Sequence, residues 1–402
     1  MMNGDQNSED PKREDVAPTS FRSQVGSLIF LVVIFLLNFL SRIVLAPLMP
    51  TIEEELKIGH EEAGSLFFLI SLGYCIMLLG SGFVSSRLTH RRTIILSSMA
   101  VGGVLLIIGF THRLWGIRLE LIIMGMAAGL YLPSGIFTII GLVRPKDLGK
   151  AIAIHELAPN LGFVVAPLLA EALLGWFSWR GVLMLLGIAS MLGGAVFAFW
   201  GKGGNFNGEA PNIRIMRSIL VEPSILILIV LFALAIGMSS GVYFMIPLYL
   251  VSERGMERTW ANTLLGLSRI STLGIVLLSG WMTDRLGLKK NLKAVFLTTG
   301  LITCMLGIAP GSWIILIVFI QAMLATCFFP VGFAALSRVG SPSIKNVAIS
   351  LTLPVASLLG GGAIPAGIGL IGEIGSFSLG FTILGGLILG GLILIRYLKL
   401  TD

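Results

Sequence analysis

Two arginines, Arg42 and Arg269, stand inside stretches that are otherwise apolar, "NFLSRIVLAPLMP" and "TLLGLSRISTLG". A guanidinium stays charged and offers a planar fork that matches the oxygens of a carboxylate, sulfonate or phosphate. Burying either one against lipid would cost about 2.5 to 3.5 kcal/mol, so both are expected to face a protein interior or a wet cavity. Asn38, Asn262 and Thr272 fall on the same helical faces and extend the polar stripes. The competing structural readings are that Arg42 snorkels or meets backbone carbonyls, and that Arg269 pairs with an acid to hold the molecule together. A second cluster, "AIAIHELAPNLGFVVAP", sets His155 beside Glu156, with Asn160 four residues on. A histidine next to a carboxylate in a half-buried site can exchange a proton near neutral pH, unless one of them faces a vestibule or pairs with Lys150. Tyr131, Tyr243 and Gln321, with Tyr74 and Phe328, are the amphipathic and polar groups that could line a small-ligand cavity, ordinary packing being their alternative role.

These residues need a scaffold, and the composition says which. Of 402 residues, 55% are apolar and 12% charged, with a mean hydropathy of +0.94. That leaves too little polar surface for a soluble domain and places the chain in a bilayer. Gly/Pro and polar punctuation divides it into twelve candidate spanning helices, at 24–50, 62–84, 93–111, 118–143, 151–174, 180–200, 223–251, 259–283, 291–309, 313–337, 347–372 and 374–396. A transmembrane barrel would need short alternating segments, which the sequence lacks. Arg42 then lies roughly 12 Å, and Arg269 about 13 Å, below the outer ends of helices 1 and 8 at 1.5 Å per residue.

With twelve helices both termini share a side. The tails and loops on that side carry 20 of the 28 Lys and Arg residues, against 6 on the other, so it is expected to be cytoplasmic. The net charge of +7 is spread over these loops, which argues against a nucleic-acid face. Residues 1–22 read as a disordered cytoplasmic tail rather than a signal peptide. Cys75, Cys304 and Cys327 have no metal-ligand spacing and fall in apolar runs. The sequence carries no nucleotide-binding motif, metal cluster or nucleophilic triad, so no cofactor or enzymatic activity is expected. Glu120, Glu171 and Glu373 lie near outer helix ends and read as solvated.

The chain repeats itself at an offset of about 195 to 198 residues. "GLYLPSG" lies over "TCFFPVG", "GFVSSRLTHRR" over "GWMTDRLGLKK", and Pro159 over Pro354. Two six-helix bundles, 23–200 and 223–397, joined by a cytoplasmic linker at 201–222, follow from it. In the second half, the turn between helices 8 and 9 has the form G-x-x-x-D-R-x-G-x-[KR]-[KR], carried by Gly280, Asp284, Arg285, Gly287, Lys289 and Lys290. In the first half Gly82, Arg87, Arg91 and Arg92 fit, while Ser86 replaces the aspartate and Thr89 the second glycine.

This combination resembles the major facilitator superfamily over everything but the tails. The resemblance implies an all-α membrane protein, with twelve transmembrane helices in two pseudo-symmetric bundles. It also implies a conformational latch at Gly82, Arg87, Arg91, Gly280, Asp284, Arg285 and Gly287. A serine at position 86 can still cap a helix. The arginine that the family often carries early in helix 4 is missing, Leu121 standing there. Asn38, Phe39, Arg42 and Leu45 further resemble the helix 1 pattern of the organic anion and cation symporter branch, with Ser41 at its acidic position. An arginine in helix 8 is similar to that of monocarboxylate and oxalate carriers.

Neither arginine recurs at its repeat partner, near Ser239 for Arg42 and near Ser71 for Arg269, and that asymmetry favours a ligand over architecture. The expectation is a monomeric secondary transporter of the inner membrane. It moves a small organic anion bound by Arg42, Arg269, Asn38, Tyr131, Asn160, Tyr243 and Gln321, and its candidate proton carriers are His155 and Glu156. The alternatives are an exporter of hydrophobic or cationic compounds, a transporter-like receptor that does not cycle, and a lipid flippase.

Overall fold

The computed structural model describes residues 21–210, 222–339 and 342–399. The expected tail over 1–22, but for its last two residues, and residues 211–221 of the 201–222 linker lie outside them. Eleven helical stretches among the described residues are long and apolar enough to cross a membrane. They are helix 1 (Gln24–Leu56), 2 (His60–Arg87), 3 (His90–Phe110), 4 (Leu114–Leu142), 5 (Pro145–Leu174), 6 (Trp179–Trp200), 7 (Pro223–Glu253), 9 (Leu288–Ile308), 10 (Trp313–Leu336), 11 (Ser350–Ile374) and 12 (Phe377–Tyr397). Helix 8 completes the series as two consecutive pieces, Arg258–Ile270 and Thr272–Leu286. Among the described residues there is no strand, only one isolated bridge between Thr89 and Asn207.

Proline explains where the long helices break. It lacks the N–H that would bond the carbonyl four residues before it. Helix 1 is interrupted after Ile43, four before Pro47; helix 4 after Gly129, four before Pro133; helix 5 after His155, four before Pro159; helix 10 after Thr326, four before Pro330. The repeat is visible in this: helices 4 and 10 break at matched positions, as the alignment of Pro133 with Pro330 predicts. Helix 11 departs from it by running through Pro354 and loosening only at a π turn, Leu359–Ala363. Helix 7 carries π turns at Gly237–Gly241 and Tyr249–Glu253.

Close approach is set by small residues. A Cβ on Gly73 or Gly125 would run into the facing backbone, 2.9 Å from Met126 N and Tyr74 N respectively. Helices 2 and 4 therefore touch there, which fixes where the neighbouring Tyr74 side chain points. Helices 3 and 6 pack along their length, as do helices 9 and 12.

The first six helices meet the last six chiefly where 1 packs on 7, 2 on 11 and 5 on 8, with a smaller contact of 2 on 7. Polar ties close the end where helices 1, 5, 7 and 11 finish, here the distal end. Arg258 donates from Nε to Glu171 at 3.1 Å and from Nη1 to Thr51 at 3.2 Å. Asn262 donates to the Pro47 carbonyl at 2.9 Å and to Glu171 at 2.6 Å. The His60 amide donates to Glu373 at 2.6 Å, while the His60 ring lies 2.9 Å from Glu53. Glu171 thus joins the two halves instead of being solvated, while Glu373 remains exposed and still meets a donor on the opposite half. Glu120 meets Thr111 Oγ1 at 2.6 Å. Among the described residues, the second piece of helix 8 makes no extended packing with helix 5, nor do helices 4 and 5 with helices 10 and 11. The polar ties named above between the two halves lie at the distal end.

Candidate functional site

The two arginines converge on one aromatic cluster midway through the molecule. Arg42 lies with Cζ 4.0 Å from the centroid of Tyr74, on helix 2, and 5.1 Å from that of Phe39, on its own helix. Arg269 lies 4.9 Å from the Phe163 ring of helix 5 and 5.1 Å from the Tyr243 ring of helix 7. Phe163 joins the two arrangements, edge-to-face with Phe39 at 5.0 Å and with Tyr243 at 4.8 Å. A ring face is electron-rich and attracts a cation, so each guanidinium is held in place without a counter-ion. Among the described residues no carboxylate pairs with either arginine, in contrast with Arg118, Arg180 and Arg258, which meet Glu62, Glu55 and Glu171.

What binds Arg269 comes from a helix irregularity. The π turn at Gly237–Gly241 takes backbone carbonyls out of the ordinary ladder. Arg269 Nη2 donates to the Ser239 carbonyl at 3.0 Å, and Gln321 Nε2 donates to that of Met238 at 2.7 Å. Arg269 is 3% exposed, whereas Arg42 is half-buried. Arg42 Nε, Arg269 Nε and the Tyr243 hydroxyl are all buried without a hydrogen-bond partner. Such groups cost roughly 1 to 3 kcal/mol each until something satisfies them. Three of them lie around one cluster, and each could donate to an acceptor.

The other expected binding residues are engaged in the protein itself. Asn38 donates to Ser97 at 3.3 Å and to the Ala128 carbonyl at 3.2 Å, bracing helix 1 against helices 3 and 4. Gln321 is committed to helix 7 as above. Asn160 donates back to the Glu156 carbonyl at 2.8 Å, across the break in helix 5. Tyr131 is fully buried and serves His155. The structure therefore brings together Arg42, Arg269, Tyr243 and Tyr74, and adds Phe39 and Phe163. Phe39, three residues before Arg42, carried a helical-spacing signal; Phe163 reaches Arg269 only through the 5–8 packing and carried none.

His155 is fully buried, its ring stacked on Phe35 at 4.4 Å and 10° and beside Tyr131 at 5.9 Å. Its Nε2 lies 3.1 Å from the Tyr131 hydroxyl, which donates to the Leu31 carbonyl at 2.6 Å. Its Nδ1 lies 3.4 Å from Glu156 Oε1, and the Glu156 side chain is 49% exposed. Neither member pairs with Lys150 among the described residues. No group of three or more His, Cys, Asp or Glu side chains among the described residues could hold a metal ion.

The two basic-end turns differ. Gly287 has φ +80°, a conformation that favours glycine, whereas Thr89 has φ −89° and needs none. Thr89 Oγ1 accepts from the Arg92 amide at 3.3 Å, so the cap comes from Thr89 and not from Ser86, which bonds the Phe83 carbonyl. The chain after helix 6 covers this turn: the amides of His90 and Arg91 donate to the carbonyls of Phe206 and Gly204 at 3.0 and 2.8 Å, and that of Gly208 to Ser85 at 2.8 Å. Arg91 donates to the Ala198 carbonyl at 3.0 Å, at the end of helix 6. Arg87 and Arg285 are exposed, Arg285 lying over Trp281 at 4.7 Å. The Asp284 side chain and Gly280 fall outside what the structure describes beyond their place in helix 8.

A family model described as Major Facilitator Superfamily matches residues 31–312. Membrane sensor protein UhpC of Escherichia coli (strain K12) is 21% identical over 302 residues, 69% of this chain and 67% of that protein. The human voltage-gated purine nucleotide uniporter SLC17A9 is 23% identical over 139 residues, 33% of this chain and 32% of that protein. Among solved structures, a bacterial homolog of the human lysosomal transporter Spinster, inward-facing and unoccupied, superposes with a TM-score of 0.74 at 16% identity. The superposition covers 94% of this chain and 96% of that one.

Proposed function

The chain belongs to the Major Facilitator Superfamily, and on that premise we propose that it is a secondary transporter of a small organic anion. Its family and fold are those of membrane transporters rather than of enzymes. The observation that carries the anion is the pair of arginines set on aromatic faces, without a carboxylate partner among the described residues and with both Nε atoms unsatisfied. A purine nucleotide, which the name of the human relative specifies, is itself an organic anion.

Residues 23–200 and 223–397 act as two bundles that rock about this site, linked by 201–222, with the basic end and both termini in the cytoplasm. The distal ties among Arg258, Glu171, Asn262, His60 and Glu373 hold the outward gate shut in the cytoplasm-open state. Helix 5 carries the coupling proton on His155 and Glu156, and Arg87, Arg91, Asp284, Arg285 and Gly287 rearrange at the cytoplasmic turns. The site is complete within one chain, so a monomer suffices. An exporter of cations would need an acid where these arginines stand.

One observation favours a second reading, a receptor that binds its anion without cycling. The turn between helices 2 and 3 is bridged to Gly204–Gly208, which would resist rearrangement, and the Escherichia coli relative is a sensor. Counterflow in proteoliposomes separates the two. External unlabelled anion accelerates exit of labelled anion if the protein cycles, and binding without exchange identifies the receptor.

A further inference from the structure

The hydrogen of a tyrosine hydroxyl can be given only once. Tyr131 gives its own to the Leu31 carbonyl, which can only accept, at 2.6 Å. The 3.1 Å contact between that hydroxyl and His155 Nε2 must then be filled by a hydrogen on Nε2. Phe35, stacked on the imidazole at 4.4 Å and 10°, fixes the plane of the ring, and the contact with Tyr131 fixes which edge carries Nε2.

This leaves Nδ1, which is buried without a hydrogen-bond partner and faces Glu156 Oε1 at 3.4 Å. In a neutral ring with hydrogen on Nε2, Nδ1 presents a lone pair to a carboxylate that also presents lone pairs, inside a site closed to water on the histidine side. One added proton turns that repulsion into a hydrogen bond, whether it sits on nitrogen or on oxygen. We propose that Tyr131 locks His155 in the Nε2–H form and so makes His155 and Glu156 a one-proton site, with the proton held between Nδ1 and the Glu156 carboxylate.

The surroundings leave the pair to itself. The segment that bears His155 packs on helices 1 and 4. Helix 4 contributes Tyr131; helix 1 contributes Phe35 and the Leu31 carbonyl, its own charge Arg42 being engaged by Phe39 and Tyr74. Tyr74 of helix 2 also lies within electrostatic reach of Glu156. No lysine, arginine or further carboxylate pairs with either member among the described residues. The exposed side of Glu156 is the way out for the proton. Because His155 ends one piece of helix 5 and Glu156 lies in the break, the two can part without unwinding either piece.

The inference rests on the proposed role of helix 5 in coupling, but its test does not depend on transport. Side-chain nitrogen NMR of histidine-labelled protein in lipid nanodiscs, assigned by the signal missing from His155→Gln, reads each ring nitrogen between about pH 5 and 9. The expected result is a hydrogen on Nε2 at every pH, with the second proton of the pair shared between Nδ1 and the Glu156 carboxylate. Glu156→Gln, whose amide can donate to Nδ1, should remove that second proton across the range. Tyr131→Phe, which keeps the stack, should let the neutral ring populate both tautomers. A wild-type ring with hydrogen on Nδ1 and none on Nε2, or a Tyr131→Phe spectrum unchanged from wild type, overturns the inference. If the spectra behave as expected while anion uptake ignores pH, the proton site stands and the coupling falls.

Discussion

Arg42 and Arg269 have the same side chain at a similar depth, yet they are held differently. Arg269 is almost wholly buried, with two rings and the Ser239 carbonyl of a π turn around it. Arg42 is half-buried and rests on rings alone, one residue before helix 1 breaks. Ser239 also lies near the position that matches Arg42 in the second repeat, where the second half anchors the arginine of helix 8. Under the proposed function, Arg269 would have a double duty, in structure and in binding, and Arg42 would be free to respond to the ligand.

The strongest way to break this comparison is Arg269→Gln. It should lower anion affinity about 100-fold and unfolding free energy by about 2 kcal/mol, since a charged hydrogen bond is lost at both tasks. Isothermal titration and denaturation in detergent check the two effects, and unchanged stability would remove the distinction. Arg42→Gln should weaken binding about 10- to 100-fold while leaving the unliganded protein as stable as wild type. Equal destabilisation by both variants would make Arg42 structural too.

The rings sharpen the contrast on a smaller scale. Phe163→Leu keeps the bulk but removes the π face that touches Arg269 and also contacts Phe39 and Tyr243. It should cost about 1 to 2 kcal/mol of binding, against less than about 1 kcal/mol for Phe39→Leu on the more accessible Arg42. Tyr243→Phe should move stability and binding in opposite directions. Deleting a buried hydroxyl without a partner should raise the stability of the unliganded protein by about 1 kcal/mol and reduce anion affinity a few-fold.

Much of the fold was legible because the membrane constrains it so strongly. Apolar runs, the basic bias of alternate loops and Pro133 over Pro330 led to twelve helices with matched breaks. Arg42 and Arg269 were legible because a charge in an apolar helix needs a reason. What surrounds them was not. Asn38 and Gln321 look like ligand groups in sequence, yet each is spent on a carbonyl of another helix, which only packing reveals. Phe163 looks like ordinary filling, and the π turn that frees the Ser239 carbonyl leaves no mark beyond "GMSSG". Glu171 reads as solvated because the donors that capture it lie in the other half.

The central claim is that the paired arginines bind an anion. Thermal unfolding of the purified protein against a panel of small carboxylates, sulfonates and organophosphates, repeated with Arg42→Gln, tests it most directly. A ligand at about 100 times its Kd adds roughly 2.7 kcal/mol of stability. The account predicts that at least one anion raises the unfolding temperature of the wild type by several degrees and fails to do so in the variant. Stabilisation of both forms alike by cationic or neutral compounds, with no response to any anion, would contradict it.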